Sequence, residues 1–233
     1  TESALQQTEN ELRSLIERLP DGILLEDNAR RGRFANQAFM DLFAIPGFPE
    51  AIAGSDCQNA ARMAKALFKD PDGFVADIEQ RIAHSTSAFA ESLEMADGRV
   101  LQRDYLPISR GSNTTLSHLW RYQDITEQQE RERSLRTYQA VFESSRDAVV
   151  FTGEDGRFTD VNPAAMALFE IPDRGTFLRD FPTPHALSPI FQPDGQRSAD
   201  AADKLIRQAF EQGKVLFEWQ HQAMTGRTFP AEV

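Results

Sequence analysis

Trp120-Arg121-Tyr122-Gln123-Asp124-Ile125-Thr126-Glu127-Gln128-Gln129-Glu130-Arg131-Glu132-Arg133-Ser134-Leu135 changes its period in the middle. Up to Gln123, aromatic and polar residues alternate as they do along a strand; after Thr126 the residues are charged helix formers. The two patterns meet at Asp124-Ile125-Thr126. A strand that runs without a loop into a solvated helix fits a transmitter of movement better than a reaction centre. The residues on either side of this stretch are two versions of one pattern.

Upstream, Ala88 to Met95, Val100 to Ile108 and Thr115 to Asp124 alternate with period 2 and form a meander. Asp97-Gly98 supplies a hairpin turn of type I′, and Gly111-Ser112-Asn113 a second turn. If the last hairpin turns near Ser112, paired residues sum to about 224. Asp124 then lies near Val100, within reach of Arg99. Before the meander, Phe74, Ile78 and Ile82 repeat along a helix begun after Pro71-Asp72-Gly73, and Ala60 to Phe68 holds Met63 and Leu67 one turn apart. Ile23 to Leu25 and Arg33-Phe34-Ala35 are short strands, and Asn36 caps a helix carrying Phe39, Leu42 and Phe43. Leu5, Thr8, Leu12, Leu15 and Leu19 step by 3 and 4, the spacing of a short coiled coil.

Downstream, Leu135, Tyr138 and Phe142 take up that spacing again. The pattern then starts over. An offset of 126 pairs Asp21, Arg31, Asn36, Ala38, Met40, Leu42, Phe43, Ile45 and Pro46 with identical residues, 9 of 26 positions, so the chain holds two copies of one module. Gly32-Arg33-Phe34 aligns better with Gly156-Arg157-Phe158, which predicts a first loop of different length in the two copies. Ser198 is expected to cap a helix in which Ala202, Leu205, Ile206 and Ala209 face inward. Val215 to Ala223 is the next strand, Thr225-Gly226-Arg227 a turn, and a last strand starts at Thr228. The sequence begins at Thr1 and stops at Val233 in mid-strand, which suggests a piece of a larger protein.

The formal charge of −11 argues against nucleic acid and anionic membrane as partners. Cys57 is the one cysteine, so the chain makes no internal disulfide, and a reducing cytoplasm fits. There is no signal peptide pattern and no apolar run of about 20 residues. No phosphate loop, nucleophile elbow or carboxylate pair at a meaningful spacing points to an enzyme.

Leu19-Pro20-Asp21-Gly22-Ile23, the helix starts at Asn36 and Asn162, Ala96-Asp97-Gly98-Arg99 and above all Trp120 to Glu130 resemble the PAS domains, sensory modules of bacterial signalling proteins. Asp124-Ile125-Thr126 is similar to the Asp-Ile-Thr signature with which these domains hand over to a signalling helix. Leu187 to Gly195 and Phe217-Glu218-Trp219 resemble a PAS subtype common in chemoreceptors, diguanylate cyclases and hybrid histidine kinases. The resemblance implies an α+β fold with two PAS domains. Each is a five-stranded antiparallel sheet, order 2-1-5-4-3, with helices on one face. The expected division is an amphipathic helix at 1–19, a first domain at 20–126, a linker helix at 127–145, and a second domain at 146–233 lacking its last strand.

The resemblance places any ligand between helices and sheet. By strand and helix phase that space is lined by Leu24, Phe39, Phe43, Met63, Leu67, Phe74, Ile78 and Leu119 in the first module. In the second it is lined by Val150, Phe158, Met166, Phe169, Leu205, Phe217 and Trp219. The competing reading is that these residues simply fill a core. Asp124, Ile125, Thr126 and Arg99 are the expected signal relay; a surface ion pair at Arg99–Asp124 would contribute under about 1 kcal/mol.

His84, His118, His185 and His221 have no second ligand at zinc spacing, so no metal is expected. Haem-binding relatives carry their histidine on the long helix over the cavity, where this chain has only His84, at its end. Light-sensing flavin relatives carry Asn-Cys-Arg-Phe-Leu-Gln, whereas here the run is Ser55-Asp56-Cys57-Gln58-Asn59. No cofactor is therefore expected; flavin stays the alternative, and haem is not expected. The expected assembly is a cytoplasmic homodimer through the N-terminal and linker helices, with an unknown small-molecule ligand. Its output domain would be a histidine kinase in a two-component system, or alternatively a diguanylate cyclase. A ligand-free dimerisation spacer is the opposing hypothesis.

Overall fold

The computed structural model describes residues 2–110 and 114–233, so the expected turn Gly111-Ser112-Asn113 lies outside the described residues. The chain divides into two compact units, Thr1–Glu132 and Arg133–Val233.

The first unit starts with helix α1 (Glu2–Glu17), followed by strands β1 (Gly22–Asp27) and β2 (Gly32–Ala35). Helices α2 (Gln37–Leu42), α3 (Cys57–Ala64) and α4 (Pro71–His84) come next, with short 3-10 turns between them. Strands β3 (Ala88–Glu94), β4 (Val100–Arg110) and β5 (Thr114–Asp124) complete one sheet in the order β2-β1-β5-β4-β3. The helix expected over Ala60–Phe68 starts earlier, at Cys57, because the Asp56 carboxylate accepts from Asn59 N–H and caps it there. Strand alternation then divides the sheet into two faces. Leu24, Leu101, Tyr105, Trp120 and Tyr122 lie on the face that packs with Phe39, Phe43, Phe68, Phe74 and Ile78 from the helices and loops. Phe68 and Phe74 stack with centroids 3.8 Å apart, and Phe43 meets Tyr122 edge-on at 5.0 Å. Each such side chain, once buried, contributes roughly 1.5–3 kcal/mol.

Two turn expectations need correction. At Asp97-Gly98 only the glycine takes a positive φ, +94°, and its N–H donates to Met95 O. The loop is thus a three-residue connection rather than the two-residue type I′ turn. The last hairpin pairs residues whose numbers sum to 225 through most of its length, so Asp124 faces Leu101 and not Val100.

Helix α5 (Thr126–Ser144) begins in the first unit and ends in the second. The second unit continues with β6 (Val150–Thr152), β7 (Phe158–Val161), α6 (Pro163–Leu168) and α7 (Arg174–Asp180). Then come α8 (Ser198–Gln212), β8 (Glu218–Gln222) and β9 (Thr228–Glu232). The first hairpins of the two units match at a constant offset. Leu24 pairs with Ala35 and Val150 with Val161; the bulges fall at Leu25/Glu26 and Phe151/Thr152. Positive φ recurs at Arg30 and Gly156, and again at Ala44 and Glu170. The two loops therefore have the same length, and the better match of Gly-Arg-Phe was misleading. Ser198 is not a side-chain cap: Arg197 holds that position, and the Ser198 hydroxyl donates to Pro189 O instead. Helix α7, capped by Asp173, was not foreseen.

In the second unit the strands form two separate ribbons, β6-β7 and β8-β9. The physical reason is the strand order. In the first unit β5 lies between β1 and β4 and joins the two hairpins; among the described residues the second unit has no strand in that place. Its core is Val161, Ala165, Phe169, Ile171, Phe177 and Leu187.

Candidate functional site

Alternation along β1 puts Glu26 on the same face as Leu24, so a carboxylate enters the interior of the first unit and is fully buried there. Such a group costs several kcal/mol to desolvate unless it is paired. Glu26 Oε1 accepts from Trp120 Nε1 at 2.8 Å, and Oε2 accepts from Arg30 Nε at 2.8 Å. Arg30 is held in the left-handed region at φ +60°, a conformation glycine adopts in the matching turn of the second unit. Tyr105 OH lies 2.8 Å from His118 Nδ1 on the neighbouring strands. Burial pushes the Tyr105 hydroxyl up to about 12, with Glu26 adding to it. Burial pushes His118 down, against the pull of Glu26, and so favours the neutral ring. The Cys57 thiol is raised to about 12, first by burial and then by Glu26, which makes it a poor nucleophile.

A second polar cluster pins α4 to the sheet. Arg103, fully buried on β4, donates through Nη2 to Asp77 at 2.8 Å and to Glu91 at 2.9 Å, and through Nε to Glu91 at 3.1 Å. Its guanidinium also lies 5.6 Å from the Trp120 ring. Arg81 of α4 shares the Glu91 carboxylate. On the opposite face of the sheet Arg121 bridges Asp104 and Asp21, at 2.7 and 2.9 Å.

The expected lining residues separate into three groups. Leu24, Phe39, Phe43, Phe74 and Ile78 meet in the core of the first unit. Met63 is 75% exposed and Leu67 36% exposed, so neither lines that interior. Helix α3 starts at Cys57, and that phase turns Cys57 inward and Met63 to solvent. Leu119 lies on the other face of β5 from Trp120, paired with Leu25 and Leu106. In the second unit Phe169 is core, with Val150, Phe158 and Met166 packed against it. Leu205, Phe217 and Trp219 instead line a groove of about 400 Å³ between α8 and β8, together with Gln192, Gln208 and Gln220. A similar groove of about 580 Å³ runs between α4 and β3, lined by Phe68, Phe74, Asp77 and Leu93 among others.

Sequence reasoning missed Glu26, Glu91, Arg103 and Tyr105. Their phase was the available signal, since Glu26 follows Leu24 by two, and Arg103 and Tyr105 follow Leu101 by two and four. Among the described residues no cluster of His, Cys, Asp and Glu could hold a metal ion, and no helix is long and apolar enough to cross a membrane.

The junction between β5 and α5 is the third feature. Asp124 Oδ1 accepts from Thr126 N–H at 3.0 Å and from the Thr126 hydroxyl at 2.5 Å, which starts the helix. The same hydroxyl oxygen accepts from Val100 N–H at 2.9 Å, and Ile125 N–H donates to Val100 O at 2.9 Å. One residue at the start of β4 thus holds the first turn of α5 through two backbone bonds. Arg99 is less direct. Its Nη1 is 3.9 Å from Asp124, while its Nε donates to Asp97 at 2.8 Å and its Nη1 to Leu42 O at 3.4 Å. In the second unit Arg227 likewise donates to Leu168 O, at 3.0 Å. The turn arginine therefore anchors the end of the first module helix in both copies, and Thr126 carries the contact expected of Arg99.

A family model described as PAS domain matches residues 10–80 and 136–203, together more than half of the chain. No curated protein matches the sequence. Among solved structures, the chain is similar to the PAS domain of Bordetella pertussis BvgS, with 19% identity, covering 57% of this chain and 98% of that one, at a TM-score of 0.41. It is also similar to a PAS domain from Colwellia psychrerythraea, with 14% identity, 52% and 98% coverage, and a TM-score of 0.38. A third is a sensory box sensor histidine kinase from Vibrio cholerae, with 15% identity, 54% and 98% coverage, and a TM-score of 0.37.

Proposed function

We propose a function from one premise: the chain belongs to the PAS domain family, with two segments that match it. It is the sensory and regulatory part of a signal-transduction protein, and its first module passes a displacement of its sheet into α5 through Asp124, Ile125 and Thr126. The observation that carries this reading is the Thr126 hydroxyl, which accepts from Val100 on β4 while it donates to Asp124 at the head of the helix. A shift of β4 against β5 must then either move the first turn of α5 or break that bond. Arg99 supports the turn rather than the relay.

The Asp124→Ala variant tests this. It removes the acceptor for Thr126 and costs about 1 kcal/mol, the usual loss for a helix-start oxygen. The first unit stays folded, and the full-length parent protein loses its response to stimulus. A variant that responds normally, or one that unfolds the first unit, overturns the relay.

The output domain we propose is a histidine kinase of a cytoplasmic two-component system, with a diguanylate cyclase as the alternative. The protein acts as a homodimer through α1 and α5. Leu12, Leu15 and Leu19, stepping by 3 and 4 at and just past the end of the first helix, and Leu135, Tyr138 and Val141, stepping by 3 on the second, are exposed and favour a two-chain contact, whereas Phe142 of the expected seam is buried in the second unit. A small molecule bound between helices and sheet would be the input, with flavin as the redox alternative. A second reading has a specific observation in its favour: Trp120, Arg103 and Tyr105 fill the interior of the first unit and bond there to Glu26, Asp77 and His118. On that reading this module is a ligand-free spacer. Native mass spectrometry decides between them. A dimer carrying an adduct of a few hundred daltons supports ligand sensing, an apo dimer supports the spacer, and a monomer at every concentration removes the two-chain contact.

A further inference from the structure

In each module one buried asparagine caps two helices. Asn36 and Asn162 are both fully buried. Asn36 Oδ1 accepts from Phe39 N–H at 3.1 Å, at the start of α2, and from Ile23 N–H at 2.8 Å, in β1. Its Nδ2 donates to Asp21 O at 2.8 Å and to Ile16 O at 3.1 Å, in the last turn of α1. Asn162 repeats all four bonds at the constant offset. Oδ1 accepts from Ala165 N–H and Val149 N–H, both at 2.9 Å. Nδ2 donates to Asp147 O at 2.9 Å and to Phe142 O at 3.2 Å, in the last turn of α5.

The arrangement fills a general deficit. A helix leaves its first N–H groups and its last carbonyls without internal partners. Here the amide oxygen serves the helix the chain is about to enter, and the amide nitrogen serves the helix it has just left. An amide side chain has two acceptor positions and two donor hydrogens, and all four are engaged. Serine, threonine or aspartate would cap the module helix as well as asparagine does. None of them, in its usual charge state, could hold two carbonyl oxygens as well.

We infer that Asn162 is the positioning residue through which the second module receives a displacement of α5, and that Asn36 does the same for α1. The inference rests on the relay reading for its direction. Among its described residues α5 buries only Phe142, so the helix is gripped at its two ends and solvated between them. At its start the grip is Asp124 and Thr126; at its end it is Asn162. Phe142 also stacks on Phe151, with centroids 5.1 Å apart, and Glu143 pairs with Arg174 at 2.7 Å. Those contacts tolerate sliding. A hydrogen bond already at 3.2 Å does not, because it is lost beyond about 3.5 Å. Movement of the last turn of α5 must therefore either carry β6 and the start of α6 with it or break that bond.

Amide hydrogen exchange tests this in the full 233-residue chain. Asn162→Ser keeps an oxygen for Ala165 and loses the amide nitrogen that donates to Asp147 O and Phe142 O. Amides in the last turn of α5 should then exchange about fivefold faster or more, as expected for the loss of a bond contributing about 1 kcal/mol. If that variant loosens the whole second unit, Asn162→Asp is the second variant: it keeps both acceptor positions but puts a charged oxygen, in place of the donating nitrogen, against the Phe142 and Asp147 carbonyls. Arg174→Ala is the control, releasing Glu143 without touching the cap. Unchanged exchange at the end of α5 in both Asn162 variants overturns the inference, as does an equal acceleration throughout β7 and α8. Transmission is read separately. Thr126→Val should alter exchange at Val149 and Ala165 in the otherwise native chain and leave them unaltered beside Asn162→Asp. If Thr126→Val never reaches those two amides while the Asn162 variants still fray α5, the relay reading fails and the asparagine is only a double cap.

Discussion

Arg103→Ala should destabilise the first unit by about 3–5 kcal/mol, the cost of removing one partner from a buried ion pair. The guanidinium has no solvent exposure, engages Asp77 and Glu91 with two of its nitrogens, and lies near the ring of Trp120. Alanine would leave a cavity under α4 and strip Glu91 of one of its two cationic partners. Asp77 is half-exposed and can turn to water, so most of the loss falls on Glu91 and on the void. Arg103→Met separates the two contributions. Methionine refills much of the volume but leaves Glu91 short of a cation, as alanine does. Its cost should therefore fall below that of alanine by the contribution of the void alone. Urea titrations that follow Trp120 fluorescence in the two variants, in a Trp219→Phe background, check this. Equal losses would mean that the charge, and not the packing, holds α4 to the sheet.

Glu26→Ala should cost a similar amount, about 3–5 kcal/mol, by the opposite route. It leaves two donors without an acceptor, Arg30 Nε and the indole N–H of Trp120, which join the turn after β1 to the central strand β5. Arg30 also sits in a left-handed backbone conformation that costs a non-glycine residue roughly 1–2 kcal/mol, and its bond to Glu26 offsets that strain. Glu26→Gln keeps an oxygen for Trp120 and loses the charge facing Arg30, so it should fall between native and alanine. In the same Trp219→Phe background, a red or blue shift of Trp120 emission in Glu26→Ala but not in Glu26→Gln would locate the change at the indole. If both variants melt with the native protein, the carboxylate is not what holds β1 to β5.

These two clusters also show where sequence reading reached its limit. The pattern of Asp21, Asn36, Met40, Phe43 and Pro46 against Asp147, Asn162, Met166, Phe169 and Pro172 was enough for two copies of one module. Alternation through Trp120 and Tyr122 was enough for the central strand, and the change of period at Asp124 for the helix that follows. Phe39, Phe43, Phe74 and Ile78 were legible as core because apolar residues at helical spacing must find a covered face. Met63 carried the same spacing and came out exposed, since α3, capped by Asp56, turns it to solvent; Leu67, also exposed, lies beyond that helix in a 3-10 turn. Leu119 failed on strand parity: in a sheet one residue of phase is the whole difference between the faces. Glu26 and Arg103 are charged, and charge alone reads as surface; only partners far away in the chain make such burial tolerable.

By itself the sequence determined the repeat, the three-strand meander of the first module and the place where strand becomes helix, because each is written in local periodicity; the order of its five strands came only from the resemblance. Tertiary structure alone decided which charges are interior and how residues distant in the chain meet. Those outcomes depend on pairings such as Glu26 with Trp120, 94 residues apart, about which local propensity carries no information.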